Sequence, residues 1–261
     1  MTQLIGSSPH ERVKNWFKKY RMKVTTNGRT MTMNSALIQE NLLHVQQRIE
    51  TAAENASRER AEICLLAVSK TRMAEEIIAA YQAGQTAFGE NYVAEAIEKI
   101  KTLSDYPIEW HYIGGIQSNK TRLIATHFSW VHTIASLKHA KRLNEQRPAE
   151  QPPLNICIQV NISHEQSKGG VMESDVLPLA REIVQLGRVK LRGLMALPAP
   201  TGDFEKQKKN FSILRKLMEE LQSEGIELDT LSMGMSADME AAIAEGATIV
   251  RIGTAIFGPR A

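Results

Sequence analysis

Residues 63–91 read ICLLAVSKTRMAEEIIAAYQAGQTAFGEN. The apolar run from Ile63 reads as a strand reaching Lys70. A helix follows, with Ile77, Ile78 and Tyr81 on one face and Gly84 as its stop. A second strand, Thr86–Asn91, completes the unit. A strand, a helix crossover and a second strand imply parallel pairing. The same alternation continues: strands at Glu109–Gly114, Trp130–Ile134, Leu154–Asn161, Lys190–Leu197, Thr230–Met233 and Thr248–Thr254 are separated by helical periodicity near 93–101, 119–127, 136–146, 174–186, 204–224 and 238–245. Eight such units close naturally into one barrel. The predicted fold is therefore α/β, a single (β/α)8 TIM-type barrel. An extra helix over about 34–57, with Ile38, Leu42, Val45 and Ile49 on one face, precedes it. No G-x-G-x-x-G follows the first strand, so an open dinucleotide-binding sheet has little support.

Composition narrows the function classes. The chain has 261 residues, of which 43% are hydrophobic, enough for one large core. The net charge of +3 misleads, because residues 1–30 hold seven Lys/Arg against Glu11 alone. The remainder carries 25 basic and 28 acidic residues, which argues against nucleic acid as a partner. Residues 1–33 read as a basic, disordered extension, and 34–261 as the barrel. Val13, Trp16, Phe17 and Tyr20 could form a short amphipathic face in the extension. No membrane span and no signal peptide are expected. Two cysteines, Cys64 and Cys157, on different strands suit a reducing cytosol, so a cytoplasmic location is expected. A metal site is not expected: the histidines and cysteines lack ligand spacing. No P-loop, G-x-S-x-G or H-E-x-x-H occurs.

In such barrels the site lies at the C-terminal strand ends. Polar residues and glycines gather there. By alternation Cys64, Leu66, Val68 and Lys70 share one face, which would aim the Lys70 amine into the barrel mouth. Desolvation can lower a lysine pKa and create the neutral amine that a Schiff base needs; a strand-end lysine reaching water is the plainer alternative. The ends of strands 7 and 8 form the usual phosphate corner. There Ser236 can cap the helix starting near Asp238, Gly253 permits close backbone approach, and Thr254 adds a hydroxyl. Arg251 lies inside an apolar strand and needs a partner: a carboxylate, a phosphate or a pyridine nitrogen. The run 163–170 reads as a loop over the mouth, with Lys168 solvated or within reach of a bound aldehyde.

These blocks resemble the pyridoxal phosphate homeostasis proteins. The matching stretches are LLAVSKT (65–71), FGENY (88–92), EWHYIGGIQSNK (109–120), HTI (132–134), IQVNIS (158–163), SKGG (167–170), LRGLMALP (191–198), LSMGMSADMEAAI (231–243) and VRIGTAIFG (250–258). They span nearly all of 34–260. The resemblance implies a barrel like that of alanine racemases, with pyridoxal 5′-phosphate held as an aldimine on Lys70. It implies a phosphate site matching Ser232, Ser236, Gly253 and Thr254, and pocket residues Asn91, His111 and Arg251. Two departures stand out: the basic extension, and Gly115 where relatives often carry proline.

The expected role is homeostasis of pyridoxal phosphate and other B6 vitamers, by a monomer that carries the cofactor and can supply apo-enzymes. The alternative is a racemase-like enzyme. A racemase of the related fold uses a second base, a tyrosine from another domain, and the sequence ends directly after strand 8. Tyr112 should point away from the His111 face. Efficient turnover is therefore not expected.

Overall fold

The computed structural model describes residues 28–163 and 169–259, with side chains from Ser35. The chain divides into two compact units, 1–34 and 35–261, and the second holds the barrel. The amphipathic face at Val13–Tyr20 and the position of Lys168 lie outside the described residues.

Eight strands form a closed, all-parallel barrel in sequential order. They are β1 (Cys64–Val68), β2 (Ala87–Glu90), β3 (Glu109–Tyr112), β4 (Trp130–Ile134), β5 (Leu154–Val160), β6 (Val189–Ala196), β7 (Thr230–Ser232) and β8 (Ile249–Ile252). β8 closes onto β1 with Leu66 opposite Arg251 and Ala67 opposite Ile252. Each strand sits where its apolar run predicts, most of them trimmed at an end, while β4 keeps its predicted bounds and β6 starts one residue early at Val189. Two trims matter for the site. β1 stops at Val68, so Lys70 lies in a turn beyond the strand. β8 stops at Ile252, and Thr254 opens a short helix instead of ending the strand.

The helices are α1 (Gly28–Asn55), α2 (Ala74–Gln82), α3 (Val93–Thr102), α4 (Thr121–His127), α5 (Leu137–Gln146), α6 (Glu173–Ile183), α7 (Phe204–Ser223), α8 (Met239–Ala244) and α9 (Thr254–Phe257). α1 begins six residues earlier than its apolar periodicity does. Its stripe of Ile38, Leu42, Val45 and Ile49 is buried. Truncating one of these, such as Leu42→Ala, would cost about 2–5 kcal/mol. α1 also bonds to the segments after β7 and β8: Asn41 donates to Ile256 O at 3.0 Å, and Arg48 to Glu240 at 2.9 Å. α7 is capped by Asp203, whose carboxylate accepts from the N–H groups of Glu205 and Lys206.

Strand alternation sorts side chains into two cores. The outer set, including Leu65, Ala67, Phe88, Trp110 and Tyr112, packs under the helices. The inner set fills the barrel with Leu66, Ala87, Trp130, Cys157, Met195 and Ile249. Leu66 and partly buried Cys64 lie inside, as the predicted face of β1 requires. Gly89 leaves room there: a Cβ would come within 3.2 Å of the Leu66 and Ile113 side chains. Cys64 and Cys157 are both free thiols, and burial pushes them up to about 11 and about 12. No described helix is long and apolar enough to cross a membrane.

Candidate functional site

Along β4 and β8 the inward side chains change from apolar to polar toward the C-terminal end: Trp130 gives way to His132, and Ile249 to Arg251. On β3 the inward His111 stacks on the Trp130 ring, 5.4 Å between centroids and 5° between planes. These residues join into one buried chain. Arg251 Nη1 donates to Ser232 Oγ at 2.7 Å. Ser232 Oγ lies 2.7 Å from His132 Nδ1, and His132 Nε2 lies 2.9 Å from His111 Nδ1. His111 Nε2 ends the chain 3.4 Å from Glu109 Oε2. Arginine can only donate, which fixes the direction of its bond to Ser232. Ser232 Oγ accepts from Arg251 and either donates to or accepts from His132 Nδ1, and the tautomers of the two rings set the remaining directions. Both imidazoles are neutral in this arrangement. Burial lowers the pKa of each, and His132 falls well below its ordinary value.

Arg251 is 4% exposed, and its remaining described partner is a carbonyl, Ala196 O at 2.9 Å. Among the described residues no carboxylate comes within ion-pair distance. Burial lowers its pKa to about 10, so it stays charged at neutral pH. A buried cation with only neutral acceptors is costly unless something electron-rich meets it.

Lys70 is half-buried. Ser69 N donates to Gly89 O at 2.9 Å, and Arg72 N closes the turn onto Ser69 O at 3.0 Å. Thr71 in that turn has φ +64°. A β-branched residue there is strained by about 1–3 kcal/mol, so surrounding bonds must hold it. On one side Arg72 donates to Gly258 O and Pro259 O, just beyond α9. On the other, Thr71 N donates to Glu95 Oε1 of α3 at 2.6 Å.

The corner at the ends of β7 and β8, where the sequence predicts a phosphate site, lies beside this turn. A Cβ on Gly253 would stand 3.3 Å from Val68 O and 3.4 Å from Val68 Cβ, so β8 closely approaches the end of β1. Thr254 is exposed. Ser236 does not cap α8. That position belongs to Asp238, whose carboxylate accepts from Met235 N at 2.6 Å and closes a turn around Ser236. The Ser236 carbonyl accepts from Arg48. Ser232 is deeper than the corner, its oxygen occupied by Arg251 and His132. Asn91 Oδ1 is buried and unpartnered among the described residues. The structure thus links His111, Ser232 and Arg251, and brings Gly253 against the strand that leads to Lys70. Ser236 is joined to them by no side-chain bond among the described residues.

Sequence reading missed His132, Glu109 and the acidic residues behind Lys70. The first two carried a signal: 109/111 and 130/132 share an inward parity on adjacent strands. A recess of about 790 Å³ lies on the barrel flank, lined among others by His44, Arg48, Phe204, Lys208 and Glu240. It touches none of Lys70, Asn91, His111, Ser232, Ser236, Arg251, Gly253 and Thr254.

The family model for the alanine racemase N-terminal domain matches residues 40–261. A "Pyridoxal phosphate homeostasis protein" of Pseudomonas aeruginosa is 54% identical over 223 residues, covering 85% of this chain and 96% of the relative. Its counterpart from Escherichia coli is 51% identical over 229 residues, covering 85% and 97%. Among solved structures, PipY of Synechococcus elongatus with PLP bound superposes with a TM-score of 0.74. It shares 35% identity and covers 85% of this chain and all of its own. An alanine racemase from Corynebacterium glutamicum, at 16% identity and a TM-score of 0.65, shares the fold.

Proposed function

The chain belongs to the pyridoxal phosphate homeostasis proteins, a family with the alanine racemase N-terminal domain, and we propose that it binds pyridoxal 5′-phosphate covalently through Lys70. We further propose that it acts in intracellular homeostasis of that cofactor and the B6 vitamers, as a carrier with no efficient turnover of its own. One observation carries the reading: a buried arginine with only neutral bonding partners, on the strand paired to the one that leads to Lys70.

The residues fit the group. When bound, pyridoxal phosphate supplies an aldehyde and an electron-withdrawing ring. Lys70 offers the amine, and covalent holding requires one water to leave. Arg251 offers a hydrogen-bond donor to a pyridine nitrogen and has no proton to spare near neutral pH. Beside that nitrogen it would hold the ring unprotonated, which weakens the electron sink. Ser232 and His132 hold Arg251 from behind. Asn91 offers a buried oxygen without a partner among the described residues. Gly253, Thr254 and Ser236 are left to meet the phosphate, with Thr254 the open hydroxyl.

The catalytic alternative finds less support. Tyr112 is buried in the outer core, as its strand parity requires, and its hydroxyl donates to Gly115 O at 2.8 Å. Tyr81 and Tyr106 pack edge-on against each other, with centroids 5.2 Å apart. None of these three is placed as a base opposite Lys70. We place the protein in the cytoplasm as a monomer, with apo forms of pyridoxal-phosphate enzymes as recipients.

The test pairs transfer with turnover. Holo-protein mixed with an apo-enzyme should restore that enzyme's activity. Incubated with L- and D-amino acids in deuterium oxide, it should show little racemisation. Turnover near about 10 s⁻¹, the ordinary enzyme median, would contradict the carrier reading.

A further inference from the structure

Behind the Lys70 turn, between β2 and α3, lies a buried ionic cluster with no counterpart among the described residues of the barrel interior. Glu90 ends β2 facing outward and is 0% exposed; Lys99 of α3 is 8% exposed. Lys99 Nζ bonds to Glu90 Oε1 at 2.8 Å, to Glu95 Oε1 at 2.5 Å and to Ser69 O at 2.7 Å. An ammonium has three N–H donors, and three acceptors surround this one. Lys99 is therefore a charged, saturated group and not a candidate nucleophile. Ser69 Oγ donates to Glu90 Oε1 at 2.7 Å, and Thr71 N donates to Glu95 Oε1 at 2.6 Å.

The cluster thus grips the residue before Lys70 twice and the residue after it once. From this geometry we infer that Glu90, Glu95 and Lys99 are positioning residues, which hold the strained Ser69–Thr71 turn so that Lys70 meets an incoming aldehyde. A cluster that only stabilised the fold would have no need to bond the backbone on both sides of one lysine. Thr71, at φ +64°, gives the grip its purpose: released, a threonine there leaves the left-handed region and carries its neighbour with it. The inference rests on Lys70 being the covalent site.

Glu95 is the residue to change, because its side chain is 30% exposed and Lys99 keeps two partners without it. Glu95→Ala removes the acceptor for Thr71 N; Glu95→Gln keeps one. Three quantities are read on the full chain: the rate of borohydride-trapped pyridoxal phosphate on Lys70, the affinity for pyridoxine 5′-phosphate, which lacks the aldehyde, and the melting temperature. Glu95→Ala should slow trapping by about tenfold or more, the range expected for one lost bond to a charged group. Its pyridoxine phosphate affinity should stay near wild type, while its melting temperature should fall by a few degrees, as the bonds lost from Thr71 N and Lys99 imply. Glu95→Gln should trap within about threefold of wild type, since a weaker neutral acceptor remains. Unchanged trapping in Glu95→Ala overturns the inference. So does an equal loss for both ligands, because that marks a purely structural role. A wild-type adduct on another lysine overturns the Lys70 reading itself, and the positioning role with it.

Discussion

Lys99 and Arg251 are both buried cations on the barrel's wall, one outside the sheet and one inside. Lys99 is closed on itself, with two carboxylates and a carbonyl using all its donors. Arg251 bonds a hydroxyl and a carbonyl, and a chain of neutral imidazoles stands behind it. A buried charge that the chain has already neutralised holds the turn around Lys70 in place before any ligand binds. A buried charge whose hydrogen bonds all go to neutral acceptors, with the Asp238 carboxylate acting only at a distance, would suit something that arrives later.

Removing each cation should separate the two roles. Lys99→Met leaves Glu90 buried without its counter-ion, and burial already raises the Glu90 pKa despite Lys99 beside it. Apo stability should fall by about 3–5 kcal/mol in urea unfolding. Arg251→Met removes a charge met only by neutral acceptors, so the apo protein should lose less than about 2 kcal/mol. Its affinity for pyridoxal phosphate should drop by about tenfold to a hundredfold, read by fluorescence titration. Equal effects of the two substitutions on apo stability would erase the contrast.

At the phosphate corner, Thr254→Val should weaken pyridoxal phosphate by about one decade, as loss of one hydrogen bond to a charged group implies. Dephosphorylated pyridoxal should be nearly unaffected. Equal weakening of both ligands would remove Thr254 from the phosphate.

The interior chain gives a pH dependence. Burial lowers the pKa values of His111 and His132. Below the ordinary histidine value of 6.5, the unfolded chain therefore binds more protons than the folded one. Stability conferred by the neutral imidazoles is present above that pH and is lost as pH falls below it. Glu90 acts in the opposite sense: its raised pKa means stability falls as pH rises above its ordinary 4.5. Variants separate the two. His132→Asn should flatten the decline in melting temperature between about pH 6.5 and pH 5. An unchanged slope would exclude the imidazoles as its cause.

The smallest effect belongs to the extension. A chain beginning at Met33 keeps Ile38, Leu42, Val45 and Ile49, the buried stripe of α1. Its stability should lie within about 0.5 kcal/mol of the full chain, as for changes away from the core.

Much of this architecture was legible in the sequence because barrel strands and helices carry different periods. Leu66 and Tyr112 went to the predicted sides of their strands on parity alone. Lys70 stands out in the sequence by its position at a strand end, but parity could not describe its turn, since a left-handed Thr71 has no sequence signature. Ser236 looked like a cap because serine is a good one; Asp238, two residues on, took the position. Glu90 and Lys99 stayed hidden for a different reason. Glu95–Lys99 reads as an ordinary i, i+4 surface pair, and only the docking of α3 on β2 buries it against Ser69.

Covalent attachment at Lys70 is directly measurable. Purified protein saturated with pyridoxal phosphate should be reduced with borohydride, digested and mapped by mass spectrometry. Attachment at Lys70 predicts one stoichiometric adduct on that residue, with the visible absorbance band lost on reduction, and no adduct in Lys70→Ala. Stoichiometric label on Lys168 or Lys99 in the native protein, or full label in Lys70→Ala, would contradict it.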